Sequence, residues 1–167
     1  MMAPPLFEMI RMRRSAAISA VLAGGAIAGL IDIGAACLIY SASPLIVLQS
    51  IASGILGRAA FSGGWEAAAL GAICHFFIAF CAAAAYVTAS SFNLVLRQQA
   101  VLGGLVFGAL MFFFMHYIVV PLSNAVSGPV TPLLYAINLA DHMLLFGVPI
   151  ALCAKYFTGP KRVFGQY

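Results

Sequence analysis

Charge is what this 167-residue chain has least of: eight Lys and Arg and four Asp and Glu make up 7% of it, against 64% hydrophobic residues. Ordinary globular domains carry roughly 25% charged residues, so the composition excludes a soluble fold. The formal charge of +4 rests on too few groups to form a nucleic-acid surface. The four cysteines, Cys37, Cys74, Cys81 and Cys153, include no Cys-x-x-Cys pair and fall in apolar stretches. That excludes a disulfide framework and argues against thiol–disulfide exchange, since buried cysteine behaves mostly as a small hydrophobe. No serine, cysteine or carboxylate pair stands at a spacing diagnostic of hydrolysis, and the sequence leans away from an enzyme. The three histidines form no local pair such as His-x-x-x-His, so a metal centre would need ligands assembled from separate helices.

What the chain does have is long apolar runs. Four spans emerge, at about Ala16–Tyr40, Trp65–Thr88, Val101–Leu122 and Pro132–Phe157. Each is near the roughly 20 residues needed to cross hydrocarbon. Arg11, Arg13 and Arg14 precede the first run, as they would in a signal peptide, but the run from Ser15 to Tyr40 exceeds a signal core of roughly 7–15 residues. It reads as a retained first helix. Arg97 lies between spans 2 and 3, and Lys155, Lys161 and Arg162 end the chain. Putting these seven basic residues on one side leaves only Arg58 on the other, which predicts that both termini are cytoplasmic.

Between spans 1 and 2, Pro44 follows Ser43 at what reads as a first helical position. Leu45, Leu48, Ile51, Ile55 and Leu56 then alternate with Gln49, Ser50, Ser53 and Arg58, before a break at Gly63-Gly64. The pattern predicts a short helix over about 44–60, lying at the outer interface or dipping back in. The alternative is an extension of span 1 that stops at the glycines. Arg58 and Glu66 fall on either side of the break, and a pairing across it would make Glu66 a rim residue.

Spans 1 and 3 open alike, with Gly24-Gly25-Ala26-Ile27-Ala28-Gly29 and Gly103-Gly104-Leu105-Val106-Phe107-Gly108. Spans 2 and 4 each carry a histidine about ten residues in, so the chain reads as two similarly oriented hairpins. Gly-x-x-x-Gly lets helix backbones approach closely where no hydrophobic drive exists. The expected fold is therefore all-α: a polytopic bundle of four transmembrane helices with one interfacial helix, in a single domain.

Within these spans stand Asp32, His75, His116 and His142. Counting from the span ends at 1.5 Å per residue sets all four roughly 9–15 Å below the outer boundary. An ionisable group in hydrocarbon costs a few kcal/mol and marks a functional site by default. Helical phase puts Asp32 with Gly25, Gly29 and Ala36, and His75 with Ala68, Gly71, Ala82 and Tyr86. It puts His142 with Tyr135, Asn138, Pro149 and Cys153, making Asn138 a further candidate. His116 is about 80° off the Gly108 line and its inward orientation is open, while Asp141 lies about 100° from His142 and is expected to face away from the main layer. Pro149 removes a backbone bond to Leu145 and predicts a kink. Tyr40, Trp65, Tyr117, Tyr135 and Tyr156 suit interfacial anchors.

Three functions fit these residues. An Asp/His layer binds or passes a proton or cation, and a wall of four short helices then calls for self-association or a partner. Alternatively the polar layer only specifies helix packing in an accessory subunit of a larger membrane complex. A third reading is a metal site on Asp32, His75, His116 and His142, or a haem between His75 and His142; otherwise no cofactor is expected.

The succession Gly24-Gly25-x-x-x-Gly29, Gly71-x-x-x-His75-Phe76, Val119-Val120-Pro121-Leu122 and a histidine-bearing last helix resembles small bacterial inner-membrane proteins of the YagU-like kind. The resemblance implies a four-helix inner-membrane protein and assigns no site residue.

Overall fold

A computed structural model describes residues 6–159, with side chains from residue 14 onward. The side chains of Arg11 and Arg13, and all of Lys161 and Arg162, lie outside the described part. Among the described residues there is no strand. Helix α1 spans Leu6–Ile39, α2 Pro44–Leu56, α3 Gly64–Phe92 and α4 Leu94–Gln98. Helix α5 spans Ala100–Phe114, α6 Pro132–Asp141 and α7 Val148–Thr158. A 3₁₀ turn, Gly57–Ser62, follows α2; a π turn, Met115–Val119, extends α5; and a π segment, His142–Gly147, joins α6 to α7.

Five stretches are long and apolar enough to cross a membrane: Arg14–Ile39, Pro44–Ser62, Gly64–Phe92, Ala100–Val119 and Pro132–Thr158. Together they mark a membrane protein. The sequence predicts four spans, because Gln49, Ser50, Ser53 and Arg58 interrupt the helix over about 44–60 and it reads as interfacial. Pro44–Ser62 is the least apolar of the five yet long enough once the 3₁₀ turn continues α2.

Local chemistry explains the helix ends. Ser43 Oγ accepts from the Ile46 amide at 3.4 Å and Pro44 stands at the first position, so α2 starts with its first orphan donors satisfied. Thr131 Oγ1 and Pro132 start α6 the same way, with Leu134 N–H donating at 3.2 Å. The short α4 is capped by Asn93 Oδ1, which accepts from Val95 N–H at 2.9 Å. Gly57 and Gly64 sit at φ +58° and +55°, where the chain reverses twice between α2 and α3.

Helix α1 lies between α3 and α7, and α7 with its preceding π segment packs on α5. The contacts are made by alanine and glycine. Ala20, Ala28, Ala79 and Ala83 are fully buried, with Tyr86, Phe146 and Ile150 among them. In a bilayer, where burial supplies little drive, such small residues let backbones approach and gain dispersion contacts. A Cβ on Gly108 would overlap the His142 carbonyl, one on Gly147 the Gly104 carbonyl, and one on Gly71 the Leu48 carbonyl of α2.

One end of the bundle is tied by α4. Tyr86 Oη donates to the Leu96 carbonyl at 3.1 Å, and Lys155 Nζ to the Gln98 carbonyl at 3.2 Å. At the opposite end, α2 crosses α3. Gln49 Nε2 donates to the Gly64 carbonyl at 3.0 Å. Ser53 Oγ accepts from Val126 N–H at 3.0 Å and the Asn124 amide donates to the Gly54 carbonyl at 2.9 Å. These bonds bind α2 to the segment that follows α5. Arg58 and Glu66 are both exposed, and among the described residues no ion pair joins them. The turn at Gly57–Ser62 leaves their side chains in solvent or headgroups rather than against each other.

Candidate functional site

The middle of α1 presents Gly29 and Asp32 one turn apart toward α3. Gly29 has no side chain, so the ring of His75 reaches its backbone: His75 Nε2–H donates to the Gly29 carbonyl at 2.9 Å. A carbonyl only accepts, which fixes the proton on Nε2. The same nitrogen stands 3.9 Å from Asp32 Oδ2, and Phe76 meets the imidazole edge-on at 5.4 Å between centroids.

The other half of the site comes from the junction of α6 with the π segment. Pro149 has no N–H to give Leu145, and the helix answers upstream by widening to i→i+5 bonding, with Val148 N–H reaching back to the Met143 carbonyl. The kink expected from Pro149 thus takes the form of a π segment beginning at His142. His142 Nδ1–H donates to the Asn138 carbonyl at 3.1 Å and stands 3.7 Å from Asp141 Oδ2. Asp141 is the residue the sequence turned away from the layer, and here the geometry corrects that reading. Its side chain is only 7% exposed, and its carboxyl faces Asp32. The reason is that this part of the chain packs against both α1 and α5, so two directions about 100° apart are both interior.

Asp32, Asp141 and His142 each offer a donor atom within 4.8 Å of the other two. With His75 the order across the bundle is imidazole, carboxyl, carboxyl, imidazole: His75–Asp32–Asp141–His142. Each imidazole N–H is held by a backbone carbonyl and lies just beyond hydrogen-bond reach of a carboxylate. Asp141 Oδ1 is buried without any hydrogen-bond partner among the described residues. Two full negative charges at this separation repel by about 3 kcal/mol at an effective dielectric of 20. A proton or a cation between the carboxyls removes that cost and partners the orphaned oxygen.

The remaining candidates are placed elsewhere. His116 stacks on Phe112 with 5.6 Å between centroids and meets Tyr135 and Tyr117 edge-on. Phe112 also meets His142 edge-on at 5.5 Å, so the two histidines share an aromatic neighbour rather than a ligand. His116 therefore does not complete the layer. Asn138 takes part through its backbone carbonyl, which orients His142. Its side chain accepts from Tyr40 Oη at 2.9 Å and donates to the Leu134 carbonyl at 2.7 Å. Gln49, which the sequence showed only as a polar interruption of α2, is almost fully buried, and its Oε1 has no partner among the described residues. The chain matches no known family model, and neither a curated protein nor a solved structure is significantly similar to it.

Proposed function

We propose that this membrane protein binds or passes a proton or cation through the Asp32–Asp141 carboxyl pair and its flanking imidazoles. One observation carries the reading: two carboxyls and a ring nitrogen converge within 4.8 Å inside apolar helices, with one buried carboxylate oxygen unpartnered. Packing alone does not call for that arrangement. An asparagine pair would tie the same helices without two buried acids, and buried charge is weak as a stabiliser. Histidine and aspartate in series exchange protons near neutral pH, and such chains mark relays in transport proteins.

In this reading four helical passes cross the bilayer and α2 stays at one face. Support comes from both ends of α2: it begins at Pro44, five residues after α1 ends at Ile39, and it ends against residues 123–126, which follow α5 and its π turn. Arg14, Arg97 and Lys155 belong to the opposite end, where α1 enters and α7 leaves, and the excess of positive charge there favours cytoplasmic termini. With the resemblance to YagU-like proteins, this reading takes that membrane to be a bacterial inner membrane. A pore walled by so few helices calls for self-association.

Flux into proteoliposomes under a pH or cation gradient tests the reading. The expected result is uptake above that of protein-free vesicles, with Asp32→Asn returned to the baseline. Uptake equal in wild type, Asp32→Asn and empty vesicles would sink it.

A further inference from the structure

We infer that the carboxyl pair, together with His142, is a binding site for a divalent first-row transition metal, with zinc the best fit to its donors. The inference rests on the proposed cation-or-proton reading and names the cation. Two carboxylates and one imidazole form a mixed oxygen–nitrogen set. Calcium takes six to eight oxygens, more than this cluster offers; magnesium keeps to oxygen donors and its waters, which leaves the imidazole unused; cuprous ion favours sulfur, and no cysteine belongs to the cluster. Zinc suits three such ligands and keeps its fourth position for water.

Charge and the buried oxygen of Asp141 point the same way. A dication with two carboxylates is a neutral unit, the one charge state that lets both acids stay ionised in an apolar bundle. Asp141 Oδ1, on a side chain 93% buried by the complement of its 7% exposure, has no hydrogen-bond partner among the described residues and belongs to the residue at the centre of the cluster. A buried carboxylate oxygen without a donor is a natural ligand for a metal.

The donor atoms must close in to bind. Tetrahedral ligands about 2.05 Å from zinc lie about 3.3 Å apart, while the cluster atoms spread up to 4.8 Å. Rotation of two aspartate side chains covers that difference. Ligation through Nδ1 of His142 replaces its hydrogen bond to the Asn138 carbonyl and requires the ring proton to move from Nδ1 to Nε2, the other neutral tautomer. The π segment gives this part of the helix the spare turn width to adjust.

The test is metal content of the full-length protein in lipid nanodiscs, equilibrated with Zn²⁺, desalted and measured by mass spectrometry. About one zinc per chain is expected for the wild type. Asp141→Asn and His142→Gln should weaken zinc binding at least about a hundredfold, more than loss of an outer-shell partner costs. Size-exclusion profiles check that both variants remain folded. His116→Ala and a variant with Cys37, Cys74, Cys81 and Cys153 all changed to alanine should bind as the wild type does. No stoichiometric zinc, or zinc that survives Asp141→Asn and His142→Gln, overturns the assignment. Proton uptake by the same metal-free protein separates the two claims: uptake without zinc binding overturns the metal site and leaves the proton reading intact.

Discussion

Asp141→Asn should cut proton or cation uptake on the order of a hundredfold, the scale of losing one positioned proton-transfer group, without loss of folded protein. The side chain keeps its size and loses only its ability to ionise. A residue present merely to tie helices would keep that role as asparagine, and uptake would then be unchanged. Here the melting temperature should stay level or rise, because one of two buried acids within 4.8 Å of each other has gone. Asp32→Asn should behave alike. The double variant should be no worse in uptake than either single one, because links of a series fail together rather than additively. Independent losses that multiply in the double variant would show that the two carboxyls do not act as one unit.

Gly108→Leu should be among the most damaging substitutions outside the polar cluster, with those at Gly71 and Gly147. A Cβ there overlaps the His142 carbonyl and comes within 2.6 Å of the Met143 Cα, both backbone atoms that cannot swing aside. Forcing a side chain into such a contact costs about 1–3 kcal/mol or more, since α5 must part from the π segment. The displaced backbone is that of His142, so stability and uptake should fall together. Gly34→Leu supplies the comparison: nothing lies within 4 Å of a Cβ at Gly34, which is exposed. There the gain in helix propensity of roughly 0.8 kcal/mol should leave the melting temperature unchanged or higher. Equal effects at the two positions would contradict the packing described for α5.

Much of this geometry was legible from residue spacing. Counting from the span ends brought Asp32, His75, His116 and His142 to one depth, and helical phase put Gly29 on the face of Asp32. The Ser43-Pro44 start was also readable, since capping depends on neighbouring residues alone. Asp141 was misread for a specific reason. A single inward stripe is a fair assumption for a helix with one neighbour, but the α6–π junction touches α1 on one side and α5 on another. Both Asp141 and His142 then point inward. His116 shows the reverse case: its depth matched the layer, yet the rings of Phe112, Tyr117 and Tyr135 surround it, a lateral placement that depth does not encode. The extra membrane-length stretch at Pro44–Ser62 depends on a 3₁₀ turn joined to α2, and the Arg58–Glu66 pairing depends on the path of that turn. Neither follows from composition.

The account centres on an exchangeable proton or cation between Asp32 and Asp141. Infrared difference spectroscopy of the protein in lipid, between low and high pH and with and without Zn²⁺, observes that exchange directly through the carboxyl C=O stretch. The account predicts a protonated-carboxyl band in the wild type that disappears on raising the pH or adding zinc. It also predicts that the band is missing from the difference spectra of Asp32→Asn and Asp141→Asn. A wild-type spectrum with no carboxyl change, or a band that persists in both variants, would contradict it.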